Sequence, residues 1–166
     1  AKSLNIDANS IVISGESGGG NLTLATGMKL AKEGRSNEVK GLYALCPYIA
    51  GIWPLPENPS STENNGIMLD LHNDHGAIVY GIEELEKRNP LAWPGFSTEE
   101  DVKDFPKTFI SVNECDPLRD EGINFYRLLR RAGVEAQCRV LSGTIHGTDT
   151  MVTSCPEVSA ETARSL

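Results

Sequence analysis

The pattern that most constrains this chain runs from residue 10 to residue 46. SIVIS (10–14) is a short apolar run that enters the glycine-rich turn ISGESGGGN (13–21). From Gly19 to about Lys32, the apolar residues Leu22, Leu24, Ala25, Met28, Leu30 and Ala31 have the spacing of a helix packed on a sheet, and Gly34 stops it. VKGLYALC (39–46) is a second apolar run, ended by Pro47. Strand, sharp turn, helix, strand is a βαβ unit, which implies a parallel sheet with a right-handed crossover. The alternation resumes later. KTFISV (107–112) reads as a strand, PLRDEGINFYRLLRRAG (117–133) as an amphipathic helix closed by Gly133, and VEAQCRVL (134–141) as a strand. The tail from Pro156 to Leu166 suits one short helix. The fold class is α/β, a mostly parallel sheet flanked by helices.

Between the two halves the character changes. Pro47, Pro54, Pro56 and Pro59 exclude a regular sheet element over 47–66, and LDLHNDHGAIVYGIEELEKR (69–88) has helical spacing interrupted by Gly76 and Gly81. The expected organisation is core over 1–46, an insertion lying over the sheet as a cap or lid over 47–96, and core again over 97–166. Long segments with their own helices often form lids or binding elements.

Bulk properties narrow the function classes. With 166 residues the chain suits one domain with a core. A formal net charge of −8 argues against nucleic acid, which needs a basic face. Arg127, Arg130 and Arg131 share one helical stretch and read as a solvated face. No apolar run reaches membrane-spanning length. The four cysteines, Cys46, Cys115, Cys138 and Cys155, lack zinc-like or C-x-x-C spacing and read as reduced structural thiols, which favours a cytoplasmic setting.

The chemistry starts from Gly15, Ser17 and Gly19, a G-x-S-x-G pattern placed between a strand and a helix. That placement pushes a serine onto an exposed corner, where Gly15 and Gly19 avoid collisions with the strand and helix. The N–H of Gly18 would face a developing oxyanion at the positive end of the helix. A phosphate-cradling turn or plain loop is the bland alternative. A serine hydroxyl needs a base. Of three histidines, His72 and His75 fall in the insertion, whereas His146 follows the last strand in SGTIHGTD (142–149). Loops after parallel strands gather at one edge, so His146 and Ser17 should meet there. NECDPLRDEG supplies the carboxylate that would orient the imidazole. Asp116, in the loop before Pro117, is preferred; Glu114 is second, and Asp120 and Glu121 belong to the first turn of the helix, where its dipole favours acids. Serine, then aspartate, then histidine is the order expected for this kind of elbow.

GESGGGN, DPLRDEG and the late G-x-x-H-G together resemble the hormone-sensitive-lipase-like branch of the α/β-hydrolases, the bacterial family IV esterases. NPLAWP (89–94) resembles that family's return from cap to core, and RRAGVEAQCRV its penultimate helix and strand. The resemblance implies Ser17 as nucleophile, Asp116 as acid, His146 as base and a cap over the substrate. It also implies a serine carboxylesterase for short acyl esters, working without metal or organic cofactor. A homodimer through the sheet edge near the last strand is compatible with it. Glu16-Ser17-Gly18 stands where the family commonly has Asp-Ser-Ala, and Thr148 where an aromatic often follows His-Gly. The family's His-Gly-Gly-Gly stretch, which completes the oxyanion hole, is not found in this sequence. The expectation is therefore the C-terminal portion of a larger enzyme, with the remainder a second chain, a proteolytic loss or outside this sequence.

Two other function classes compete: a non-catalytic binding protein on the same fold, and an amidase or peptidase using the same three residues. His72 and His75, with Asp70 and Asp74, form an H-x-x-H metal candidate that lacks a third well-spaced ligand, so solvated cap residues are the preferred reading. Trp53, Trp93 and Phe96 are candidates for lining a pocket, with ordinary packing at least as strong a reading. Glu16 is given no chemistry beyond a bond to a neighbouring loop.

Overall fold

The computed structural model describes residues 6–70 and 75–165. Four strands, β1 (Val12–Glu16), β2 (Gly41–Leu45), β3 (Thr108–Asn113) and β4 (Ala136–Leu141), form one sheet in the order β1-β2-β3-β4. All three pairings are parallel, as the strand and helix alternation requires. The helices are α1 (Gly18–Lys32), α2 (Ser60–Glu63), α3 (His75–Glu86), α4 (Arg119–Arg131) and α5 (Pro156–Arg164).

Alternation along the strands divides the sheet into two faces. Leu42, Ala44, Ile110, Val112 and Ala136 point into the main core, where Leu24 and Met28 of α1 and Phe125, Leu128 and Leu129 of α4 meet them. Leu22, expected on the packed side of α1, is instead 54% exposed, because its turn of the helix stands beyond the end of the sheet. Tyr43, Leu45 and Phe109 line the other face. There Arg139 of β4 donates to Tyr43 Oη at 3.2 Å, to Thr162 of α5 at 3.1 Å and to Ser165 just after that helix at 2.9 Å. One guanidinium thus fastens α5 to the sheet.

The helix ends follow their glycines. Gly34 (φ 67) closes α1 with Arg35 N–H donating to Leu30, and Gly133 (φ 80) closes α4 with Val134 N–H donating to Leu129. Gly81, at φ 145, kinks α3 in its interior.

The segment between β2 and β3 contributes its own apolar cluster of Ala77, Leu85 and Trp93, with Tyr48 and Tyr80 packed edge-on to the Trp93 ring. Buried polar groups bind it to the core. Asn21 of α1 donates to the carbonyls of Tyr48 and Ala92. Asp120 accepts from Ser60 N–H at 2.7 Å, and Glu121 accepts from Ala50 N–H at 2.5 Å and Ile49 N–H at 3.3 Å. These two acids, expected only as dipole partners in the first turn of α4, are tethers for the preceding segment. Glu121 is buried, and the second oxygen of its carboxyl, Oε1, has no hydrogen-bond partner among the described residues. Desolvation therefore holds this carboxyl well above the usual carboxylate range, with the nearby Asp116 charge acting in the same direction.

Because the folded-state pKa is raised, the folded protein keeps a proton that the unfolded chain releases above pH about 4.3. This contribution is complete below that pH and is lost as pH rises towards the folded value. Glu121→Gln should remove the dependence, so that urea midpoints of variant and parent diverge in favour of the variant as pH rises from about 4.3. Parallel pH profiles for the two proteins would refute a neutral Glu121.

Candidate active site

Parallel strands in this register end together, and their following loops meet at one edge. Ser17 follows β1 directly and adopts φ 57, ψ −116. A side-chain-bearing residue is held there only when its surroundings demand it. Ser17 N–H donates to Leu45 at 2.9 Å, while the Ser17 carbonyl accepts from Asn21 and Tyr48 N–H groups at 3.0 and 3.1 Å. A Cβ on Gly15 would lie 2.2 Å from the Gly19 carbonyl oxygen, which accounts for the first glycine of the motif. The expected collision at Gly19 is absent, because a Cβ there meets nothing within 4 Å. Gly20 is the crowded position instead, since its Cβ would fall 2.9 Å from both the Leu45 oxygen and Pro47 Cα. Only Gly20 of the pair faces the end of β2.

His146 reaches the same corner from the loop after β4. Its Nε2 lies 2.9 Å from Ser17 Oγ and its Nδ1 2.8 Å from Asp116 Oδ2. Asp116 is fully buried, and its other oxygen accepts from Leu118 N–H at 2.9 Å. Glu114, the second candidate, turns away and accepts from Gly143 N–H at 2.6 Å. Gly18 begins α1, whose first-turn N–H groups have no intrahelical acceptor.

The loop carrying His146 is fixed by Thr148 and Asp149, to which the sequence alone assigns no such role. Thr148 Oγ1 accepts from Ile145 N–H and donates to the Ile145 carbonyl, closing the turn in which Gly147 takes φ 74. Asp149, also buried, accepts from Ser111 and Thr162 hydroxyls and from the Asn113 amide at 2.8 to 3.1 Å. The clue in the sequence was an acid three residues after the histidine.

Glu16 and Cys46 also reach this corner. Glu16 Oε1 lies 3.5 Å from His146 Nε2 and 3.5 Å from Cys46 Sγ. Cys46 is not in β2 as read from the sequence but just beyond it, at φ 32, with its thiol facing polar groups. Burial, reinforced by Asp116 and Glu16, pushes that thiol far above its ordinary range.

Two cavities adjoin the elbow. One of about 160 Å³ is lined by Ser17, Tyr48, Trp53, Leu69, Gly76 and Leu118. The other, about 260 Å³, lies beside Gly18 and is walled by Leu22, Tyr48, Tyr80 and Trp93. Trp53 and Trp93 thus line space next to Ser17 and Gly18, whereas Phe96 stacks under Arg88 and lines a separate cavity with Glu121. Of the H-x-x-H candidate, His72 and Asp74 lie outside the described residues. No described helix is long and apolar enough to cross a membrane.

A model of the α/β hydrolase fold matches residues 1–150. The chain belongs to the α/β-hydrolase family. It is similar to the structure of esterase Est22, with 67% identity and a TM-score of 0.95 over 98% of this chain and 48% of that one. Brefeldin A esterase, described as a bacterial homologue of human hormone-sensitive lipase, is 38% identical with a TM-score of 0.85, over 95% of this chain and 46% of that one. An arylesterase of Saccharolobus solfataricus is 32% identical over 149 residues, which is 88% of this chain and 46% of that protein. The hormone-sensitive-lipase-like branch expected from GESGGGN and DPLRDEG is borne out. The chain spans about half the length of these relatives.

The crowding at the elbow makes opposite forecasts for adjacent glycines. Gly20→Ala should lower stability by about 1–3 kcal/mol or more, because the opposing atoms are backbone. Gly19→Ala should be neutral or stabilising by up to about 1 kcal/mol through helix propensity. Urea unfolding of both variants reads the difference, and equal losses would contradict the assignment of Gly20 as the close approach.

Proposed function

We propose that this chain carries the nucleophile, acid and base of a serine carboxylesterase acting on short-chain acyl esters. The supporting observation is the His146 ring, engaged by Ser17 Oγ on one nitrogen and by buried Asp116 on the other. Ser17 Oγ attacks the ester carbonyl carbon as His146 Nε2 takes its proton. Asp116 holds the ring in the tautomer that carries the Nδ1 proton and stabilises the imidazolium. Negative charge on the carbonyl oxygen develops at the N-terminus of α1, where Gly18 N–H is the donor. Collapse of the tetrahedral species expels the alcohol, which receives the proton from His146. Water then attacks the acyl carbon as it gives a proton to the same nitrogen, and the acid leaves as that proton returns to Ser17 Oγ.

A small acyl group fits the space beside Ser17, about 160 Å³ against the roughly 300–1,000 Å³ of drug-sized pockets. The larger cavity beside Gly18, with Trp93 and Tyr80 on its wall, would take the alcohol side of the ester. The segment over 47–96 would act as a substrate-covering cap, a reading supported by its supply of Tyr48, Trp53, Leu69, Gly76, Tyr80 and Trp93 to these walls. The similar esterases support the ester leaving group. Gly18 N–H is the oxyanion donor in this reading, and one such donor is worth about 10²–10³ in rate.

A fluorophosphonate should add once to the chain, with the adduct on Ser17 by intact and peptide mass, and Ser17→Ala should abolish it. Asp116→Asn should slow the reaction by about 10⁴ through loss of the productive tautomer, whereas Glu114→Gln should leave it within a few-fold. A folded chain that stays unlabelled would support a binding protein instead. Faster turnover of an amide than of its matched ester would turn the reading to an amidase.

A further inference from the structure

Among the described residues, Glu16 Oε1, Cys46 Sγ and His146 Nε2 lie within 4.8 Å of one another. Two of the three separations, from Glu16 to the sulfur and to the nitrogen, are 3.5 Å. A tetrahedral zinc ion with bonds of about 2.0–2.3 Å to such donors sets its ligand atoms about 3.4–3.6 Å apart. Two of the three edges thus match the spacing of a tetrahedral ion, and the third is no longer than 4.8 Å, within reach of side-chain rotation.

We propose that Glu16, Cys46 and His146 form a site for a thiophilic divalent cation of the zinc class, and that occupancy of this site silences the elbow. The thiolate selects zinc-like ions over magnesium or calcium, which prefer all-oxygen shells. On binding, Cys46 releases its thiol proton to solvent. Thiolate and carboxylate then balance the two positive charges, leaving a neutral cluster in a buried setting. The outer shell is also present, because Asp116 accepts from His146 Nδ1 at 2.8 Å, the carboxylate–histidine arrangement that orients metal-bound imidazoles. Ser17 Oγ, 2.9 Å from the same ring nitrogen, or a water can fill the fourth position.

The site depends on the length of Glu16 and the sulfur of Cys46. An aspartate at position 16 would fall about 1.5 Å short, one carbon–carbon bond, of the point Glu16 reaches. Among the described residues of this cluster Cys46 supplies the sulfur, and it does so because β2 ends one residue earlier, at Leu45. Metal on Nε2 occupies the lone pair that would accept the Ser17 proton, so cation binding and ester turnover exclude one another. This consequence rests on the proposed role of His146; the metal site itself does not.

Titration of the chain with cobalt(II) tests the site without an activity assay. One equivalent should produce a sulfur-to-cobalt charge-transfer band, which zinc then displaces. The band should vanish in Cys46→Ser and persist when Cys115, Cys138 and Cys155 are all replaced by serine. Asp116→Asn should weaken cobalt binding about 10–100-fold. Glu16→Gln, checked for folding by circular dichroism, should also weaken it and serves if Cys46→Ser does not fold. Absence of the band, its survival in Cys46→Ser, or unchanged affinity in Glu16→Gln would overturn the proposal. Fluorophosphonate labelling of Ser17 separates the two readings. Labelling that zinc slows and a chelator restores supports mutual exclusion. A chain that binds cobalt but never labels loses the esterase reading and keeps the metal site. One that labels at the same rate with and without zinc loses the silencing.

Discussion

Ser17 sits at φ 57, ψ −116, and the rest of the site depends on that one strained residue. Such backbone costs on the order of 1–3 kcal/mol and persists only where neighbours over-determine it. Here the determination comes from both directions along the chain. The Ser17 N–H is taken by the end of β2 and its carbonyl by Asn21 and Tyr48, so both peptide groups around the side chain are committed to the core. Gly15 and Gly20 let α1 come close enough to β1 and β2 for those bonds to form. The hydroxyl is left as the one part of Ser17 that faces the histidine loop.

The histidine is positioned by a different principle. No strained backbone holds His146; a buried carboxylate three residues further along the same loop anchors that loop to β3 and α5. Asp149 gathers Ser111 and Asn113 from the middle and end of β3 and Thr162 from α5, and Arg139 approaches the same carboxylate at 3.5 Å. The loop is thereby referenced to the same strand that delivers Asp116. Asp116 and His146 are thereby both referenced to β3, with 2.8 Å between Oδ2 and Nδ1. Asn64 adds a third reference, since its amide reaches the Glu114 and Asp116 carbonyls from the segment after β2.

The strands, the long helices and the meeting of Ser17, Asp116 and His146 were legible because each follows from chain order alone. Parallel topology sends every strand-end loop to one edge, and Asp116 precedes a proline that starts a helix. Three-dimensional crowding was not legible. Gly19 belongs to the motif yet is roomy, while Gly20, outside it, meets the backbone of Leu45 and Pro47. Leu22 has helical spacing with the core residues but overhangs the sheet, and Asp120 and Glu121 look like helix-start acids yet serve as tethers across about 60–70 residues of chain. Long-range partners of this kind leave no periodic trace in a sequence.

Glu16 and Cys46 show the same limit at the site itself. Each lies next to a legible feature, one before the nucleophile elbow and one after a strand, and each reads as ordinary there. Their importance lies in reach: the glutamate is long enough to bring an oxygen to 3.5 Å from both the thiol and the imidazole. In the proposed reaction, a carboxylate so close to His146 Nε2 would favour the positive charge that forms on the ring, since opposite charges a few ångströms apart attract. Asp116 already does so from the other side of the ring. The imidazole therefore stands between two acids of unequal burial, one fully enclosed and committed to orientation, the other one-third exposed and free to serve either a proton or a metal ion. In the proposed mechanism, that asymmetry would let the ring exchange a proton on one nitrogen while its other nitrogen keeps a fixed geometry.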